Sequence, residues 1–313
     1  MKTGILSILA YVASLPVRLV RKVEAKFGDL IRRSSDNEQH ILFDIESERL
    51  RWLALHSTER GTTDEVYLPG EQVIVSLTTY GKRMYEVYLT IESMMQQTCK
   101  PNKIVLWLQD DYKDRPLPRI LALQQARGLE IKYCRDIRSY KKLVPSLREY
   151  PRDTIVTIDD DAIYHFDLLE EMLKTRIGHP HCIVCNRFHK VSVNADGTPR
   201  PYMEWDIESC DESVSMLCFP TGVGGVMYPP GSLSDEVFSE SVWTDLCPDA
   251  DDVWFKAMAM LKGTLYCPIP QKIHGTRYID NPHSGTSLMS RNVQAGGNDK
   301  AIKAVFGHYG LSF

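Results

Sequence analysis

The chain has 313 residues, with 37 Lys and Arg against 41 Asp and Glu, for a formal net charge of −4. Hydrophobic residues make up 43% and charged residues 25%, enough apolar material for a core, which excludes a disordered chain. The slightly acidic balance excludes a nucleic-acid binder working through bulk charge. No internal repeat of roughly 20–50 residues is present, which excludes a solenoid or propeller.

The chain opens on an apolar run from Gly4 to Val20, broken by Pro16. The stretch before Pro16 is about twelve residues, short of the ~20 that span a bilayer. Arg18, Arg21, Lys22 and Lys26 follow it. Apolar residues ahead of basic ones suit a helix lying on an anionic membrane face, and equally a plain packed N-terminal helix. Residues 5–26 are therefore the expected place of any peripheral membrane contact. Residues 30–70 are polar apart from a helical piece near Ile41–Leu55. We divide the chain at 70, into a helical extension (1–70) and a single domain (71–313).

Val73–Leu77 reads as a short, buried, β-branched strand. Tyr85–Gln97 carries Val87, Tyr88, Ile91, Met94 and Met95 at the spacing of one helix face, and Pro101 ends it. Ile104–Leu108 is a second strand. Leu117–Arg127 is a helix with Gly128 where a C-terminal cap belongs. Leu129–Cys134 and Thr154–Ile158 are a third and a fourth strand. Strands alternating with helices predict a parallel α/β sheet with right-handed crossovers. Ligands then sit beyond the C-terminal strand ends, which puts Thr78–Arg83, Gln109–Asp114 and Asp159–Asp161 on one rim. A helix over Phe166–Ile177 follows. Residues 182–280 mix short strands, a hairpin-like Asn194–Gly197 and two helices.

Eight cysteines are spread thinly, as in a protein with reduced thiols, and the expected location is cytoplasmic. The one Cys-x-x-Cys, Cys182 and Cys185, has His179, His181 and His189 nearby. It lacks a second pair and lies in an apolar run that reads as a buried strand.

Three adjacent acids, Asp159, Asp160 and Asp161, stand at the mouth of the fourth strand. They repel one another and need a cation or strong donors. Alternation would put Asp159 and Asp161 on one side and Asp160 on the other. Two carboxylates at such a rim suit a hard divalent ion with positions left for water and phosphate oxygens. The second acidic group, Asp249, Asp251 and Asp252, precedes an apolar helical run ending at Gly263. Acids there favour the helix dipole, and equally offer a general base. His274 follows the strand-like Thr264–Cys267 and is placed to return to the rim. Gly222, Gly224 and Gly225 would let backbone N–H groups approach a ligand, or make a tight turn. The pattern is neither a complete dinucleotide loop nor a Walker A loop.

Taken in order, Val73–Tyr80 with Arg83, Ile91–Met94 with Gln97–Pro101, Asp159–Asp161, Gly222–Gly225, Asp251–Asp252 and His274 resemble a GT-A-fold glycosyltransferase, broadly of the family 2 type. The resemblance spans roughly residues 72–280, about one domain. It implies a Rossmann-like, mostly parallel central sheet flanked by helices. It makes Asp159 and Asp161 the acids of a DxD motif, with His274 as a further metal ligand and Mn²⁺ or Mg²⁺ as cofactor. It makes Asp251 and Asp252 the catalytic pair, Asp252 being the base. Thr78, Tyr80, Arg83, Asp110, Lys142 and Asp160 are the expected contacts of a nucleoside diphosphate sugar, a UDP-sugar first. Gly224, Gly225 and Trp254 are expected at the sugar or acceptor, a glycan or lipid-linked saccharide. The Gln-x-x-Arg-Trp sequence of processive members is missing, so polymer synthesis is not expected. The residue types alone also suit a metal-dependent phosphoesterase or a sugar nucleotidyltransferase, although the latter needs a Gly-rich loop where Thr78–Arg83 has one glycine.

Overall fold

The computed structural model describes residues 41–270, 277–279 and 296–313. The expected membrane segment 5–26 and His274 lie outside the described residues. The chain divides into two compact units, 1–49 and 50–313. Residues 41–56 are helical (α1). The division falls about twenty residues before the expected boundary at 70, because residues 50–63 pack as part of the larger unit. Leu50 and Ala54 are buried, the Gly61 N–H donates to the Arg127 carbonyl, and the Thr63 N–H donates to that of Pro101. Among the described residues no helix is long and apolar enough to cross a membrane.

The larger unit is a mixed α/β structure with a mostly parallel sheet flanked by helices. Its first half holds β1 (Val73–Thr78), β2 (Lys103–Gln109), β3 (Leu129–Cys134) and β4 (Thr154–Thr157). Short strands follow: β5 (Ala162–Ile163), β6 (Ile183–Cys185), β7 (Phe188–Lys190), β8 (Cys218–Pro220), β9 (Val226–Tyr228), β10 (Tyr266–Pro268) and β11 (Arg277–Tyr278). The seven-stranded sheet has the order β10-β6-β9-β4-β1-β2-β3. β1 pairs in parallel with β2 and β4, β2 with β3, and β6 with β10, while β9 runs against both β4 and β6. Two-stranded sheets of β5 with β11 and β7 with β8 complete the set. Val73–Leu77 is fully buried, as a central strand covered on both faces demands. The one hydroxyl in that run, Ser76, shares a 2.7 Å hydrogen bond with Ser146, which also accepts the Trp107 indole N–H at 2.7 Å.

The helices after α1 are α2 (Val87–Met95), α3 (Arg119–Gln125), α4 (Val144–Glu149), α5 (Leu168–Gly178), α6 (Glu240–Leu246), α7 (Asp251–Lys262) and α8 (Gly297–Tyr309). The spacing in α2 predicts one apolar face, yet all nine of its residues are buried. Residues 51–61 cover the other side: Arg51 donates to the Tyr88 hydroxyl at 3.0 Å, and Gly61 has no room for a Cβ against Met95. Glu92, wholly buried in that helix, is held bidentately by Arg127 at 2.8 and 2.9 Å and by Gln124 at 3.0 Å. α7 ends at Gly263, whose φ of +76° makes the left-handed cap. Cys182 is half-buried and Cys185 lies buried in β6; all eight cysteines are free thiols. Among the described residues no group of three or more His, Cys, Asp or Glu side chains has metal-holding geometry.

Candidate active site

β4 stops at Thr157, so the strand's alternation no longer governs the three acids after Ile158. Their directions are set by partners. Asp160 turns inward, accepting from Thr79 Oγ1 at 2.5 Å and from Arg83 at 2.8 Å. The second guanidinium nitrogen of Arg83 lies 2.9 Å from Asp161. Burial pushes the Asp160 carboxyl up to about 6 against the pull of Arg83, and also raises Asp161, with Asp159 as a further repelling charge. Asp159 points toward Lys142. Its Oδ1 is 3.0 Å from Lys142 Nζ, and its amide donates to the Tyr164 hydroxyl at 2.9 Å.

Lys142, nearly inaccessible to water, gathers the two acidic groups. Its ammonium is 3.0 Å from Asp159, 3.0 Å from Asp251 Oδ2 and 3.9 Å from Asp252 Oδ1. The contact with Asp251 is an ion pair without hydrogen-bond alignment. Burial alone would discharge the amine, but Asp159, Asp251 and Asp252 hold its pKa well above the usual lysine value. Asp252 sits in the first turn of α7 and its Oδ2 accepts the Gly222 N–H at 3.1 Å. Enclosure by protein pushes its carboxyl up to about 7. Lys142 and the Gly222 N–H pull the other way, and Asp251 and Asp159 add to the rise. The Asp252 side chain nevertheless remains 33% exposed.

The glycine loop closes the cluster. Gly222–Gly224 forms a 3₁₀ turn and Gly225 follows at φ +88°. A Cβ on Gly222 would face the Lys142 ammonium and lie 3.2 Å from Asp252 Oδ1 and 3.3 Å from Asp159 Oδ1. The position therefore admits no side chain without displacing the Lys142 ammonium that joins the acids. Tyr164 donates to the Val223 carbonyl at 3.0 Å, tying the loop back to Asp159.

Other expected contacts fall around this centre. Thr78 Oγ1 donates to the Trp107 carbonyl at 2.8 Å. Tyr80 is 60% exposed on the rim, with the Arg83 guanidinium 5.9 Å from its ring centroid. The Gly81 N–H donates to the Tyr112 hydroxyl at 3.1 Å, joining two of the three rim segments. Asp110 stands on the exposed turn of that second segment and pairs with Lys113 at 2.7 Å, away from the acid cluster. Gly224 packs on Arg187, and Gly225 on Met172 and Leu168 of α5. Trp254 is fully buried against Trp243 and Tyr309, so it offers no ring face to a sugar; Trp243 and Trp205 are buried as well. Sequence reasoning missed Tyr164, and it named Gly222 among the loop glycines but gave the sugar or acceptor contact to Gly224 and Gly225. A tyrosine three residues after the last acid was the available signal for the first. Nothing local marks which glycine of the loop meets the acids.

No family model matches the chain, and no curated protein does. Among solved structures the chain is similar to S. aureus TarS 1–349, at 14% identity over 77% of this chain and 72% of that one, with a TM-score of 0.44. The same protein in complex with UDP gives 13% identity, the same coverage and a TM-score of 0.42. A CMP:2-keto-3-deoxy-manno-octonic acid synthetase complexed with CTP gives 13% identity over 74% of this chain and all of that one, with a TM-score of 0.40.

The acids test the fit of a metal. Asp159 and Asp161 supply hard carboxylate oxygens, suited to Mg²⁺ or Mn²⁺. Five carboxylates, from Asp159, Asp160, Asp161, Asp251 and Asp252, face two cations, Lys142 and Arg83. A divalent ion there would have only the two carboxylates of Asp159 and Asp161 as close protein ligands among the described residues and would need its other ligands from substrate or water.

Proposed function

We propose that the protein is a glycosyltransferase that moves a sugar from a nucleoside diphosphate donor, a UDP-sugar first, to a hydroxyl of a glycan or lipid-linked saccharide. The observation that carries this reading is the meeting of Asp159 with Asp251 and Asp252 on Lys142, at the C-terminal rim of the parallel strands. A divalent ion held by Asp159 and Asp161, with His274 as a further candidate, would neutralise charge on the leaving diphosphate. Arg83 and the exposed Tyr80 flank the same rim and would bind the nucleotide. Asp252, whose side chain is partly exposed, would take the proton of the acceptor hydroxyl as that oxygen attacks the anomeric carbon. One displacement inverts the configuration. The Gly222 N–H orients the carboxylate, and Lys142 keeps Asp251 and Asp159 from forcing it permanently neutral. Residues 5–26 would hold the enzyme at the cytoplasmic membrane face.

The same acids would also serve nucleotidyl transfer from a nucleoside triphosphate, or phosphoester hydrolysis, and the product tells these apart. Thermal shift with UDP-, GDP- and CMP-activated sugars, with Mn²⁺ or Mg²⁺, should find a metal-dependent donor. NMR of the product should show an inverted glycoside. Metal-independent donor binding would sink the metal role. Retention would sink the direct displacement, and products formed only by hydrolysis or nucleotidyl transfer would replace the glycosyl-transfer reading.

A further inference from the structure

Helix α7, which carries Asp251 and Asp252, starts at an N-cap, Ala250, whose side chain makes no capping hydrogen bond. Alanine is a poor N-cap because it offers no acceptor to the free N–H groups. The start is held from outside. The 3₁₀ turn Arg138–Lys142 reaches alternate residues of the segment leading into the helix. Arg138 pairs with Asp249 at 2.6 Å. Tyr140 Oη donates to the Cys247 carbonyl at 2.6 Å, in the buried core. Lys142 pairs with Asp251 at 3.0 Å and lies 3.9 Å from Asp252. The turn begins at Arg138 with φ +53°, which L side chains rarely adopt. Its amide donates to Asp136 at 3.1 Å. The Tyr140 ring stacks on Trp243 at 4.8 Å and meets Phe255 of α7 edge-on at 5.7 Å.

We propose that the turn Arg138–Lys142 is a clamp that sets the register of Asp251 and Asp252 against the rim acids, with Tyr140 and Lys142 as positioning residues. The inference rests on the reading of Asp252 as base. The exposed Arg138–Asp249 pair contributes little by itself. The buried hydroxyl and the buried ammonium do the holding, because each would leave an unpaired group behind if the segment moved. Tyr140 is buried away from solvent, so its effect on turnover must pass through the position of Asp252.

Hydrogen exchange on the full chain tests the clamp without any ligand. Tyr140→Phe keeps the ring stack and removes only the hydroxyl; Lys142→Met and Lys142→Arg probe the ammonium. Faster exchange is expected across residues 221–225 and 247–253 in Tyr140→Phe and Lys142→Met, with residues 73–109 unchanged and Lys142→Arg between them and the parent. Tyr150→Phe, which removes a hydroxyl that meets Glu130 rather than the segment leading into α7, serves as control. With the donor found in the UDP-, GDP- and CMP-sugar panel, Tyr140→Phe should lower kcat about tenfold or more, with donor Kd within twofold. Unchanged exchange at 247–253 in both Tyr140→Phe and Lys142→Met overturns the clamp. So does a Tyr140→Phe loss that falls on donor Kd. If the parent protein transfers no sugar at all, the reading of Asp252 as base fails, and the exchange result still decides the clamp.

Discussion

At Asp252 the carboxylate is held by one backbone N–H and faces a buried ammonium and two like charges. Asp252→Asn keeps the shape and cannot take a proton. Turnover should fall on the order of 10²–10⁴-fold with donor affinity nearly retained, read from kcat and from calorimetric Kd. A variant with parental turnover would remove Asp252 from the base role. The pH profile follows from the same environment. A general base works only when deprotonated, and the Asp252 carboxyl is pushed up to about 7. In the free enzyme kcat/KM should therefore rise through neutrality and level off above it, rather than being flat from about pH 5 as for an ordinary carboxylate. Gly222→Ala tests the other wall of the cluster. Its methyl would press on Lys142, Asp252 and Asp159, so activity should drop sharply while the fold, followed by circular dichroism, is kept. Strand signals put Asp159–Asp161 on a rim from sequence alone, while Asp251 and Asp252 could be placed only at the start of a helix. That they share one lysine could not be read, because residues 142, 159 and 252 meet only through the tertiary fold.

The elements themselves were legible wherever local chemistry decides them. β1, β2 and β4 are apolar runs rich in β-branched residues, β3 alternates apolar with charged residues as an edge strand does, and the sheet needed nothing more than their order and their connections to be read as parallel. The hairpin turn at Asn194–Gly197 forms as expected, with Gly197 at φ +79°. α2 was misjudged because its polar-looking side is covered by a segment some thirty residues earlier. That cover rests on a buried ion pair. Arg127 binds Glu92 through two nitrogens, and its Nε donates to the Glu59 carbonyl at 2.7 Å. Arg127→Met would leave the buried Glu92 carboxylate with two side-chain amides as donors, Gln96 at 2.8 Å and Gln124 at 3.0 Å, and no cation. Such a loss costs about 3–5 kcal/mol, which urea unfolding should register. The paired change Arg127→Met with Glu92→Leu removes both charges and should recover most of it. A single variant as stable as the parent would mean that residues 50–63 do not depend on this pair.

Across the whole molecule, the acid side of the stability curve is set by groups that pull in opposite directions. His189 in β7 is buried, and its Nδ1 accepts the Glu208 N–H at 2.9 Å, which requires the neutral ring. Burial, reinforced by Arg187, depresses its pKa from 6.5 to about 4. Between those values the unfolded chain binds a proton that the folded chain refuses. The contribution of His189 is therefore complete above about pH 6.5 and is lost as pH falls toward 4. Asp160 and Asp252 act in reverse. Their folded pKa values are raised to about 6 and about 7, so the folded chain keeps protons the unfolded one releases, and stability falls as pH rises through that range. The opposing contributions overlap in the parent curve, which hides each of them. His189→Gln isolates one of them: glutamine can still accept the Glu208 N–H but has no proton to gain. The stability difference between parent and variant, from urea titrations at a series of pH values, cancels the aspartates common to both. It should grow in the parent's favour from pH 4 to 6.5, by up to about 3 kcal/mol. Below pH 4 it should be flat. A difference independent of pH across that window would mean that His189 is free to protonate in the folded state, and that residues 187–208 open to admit the charge.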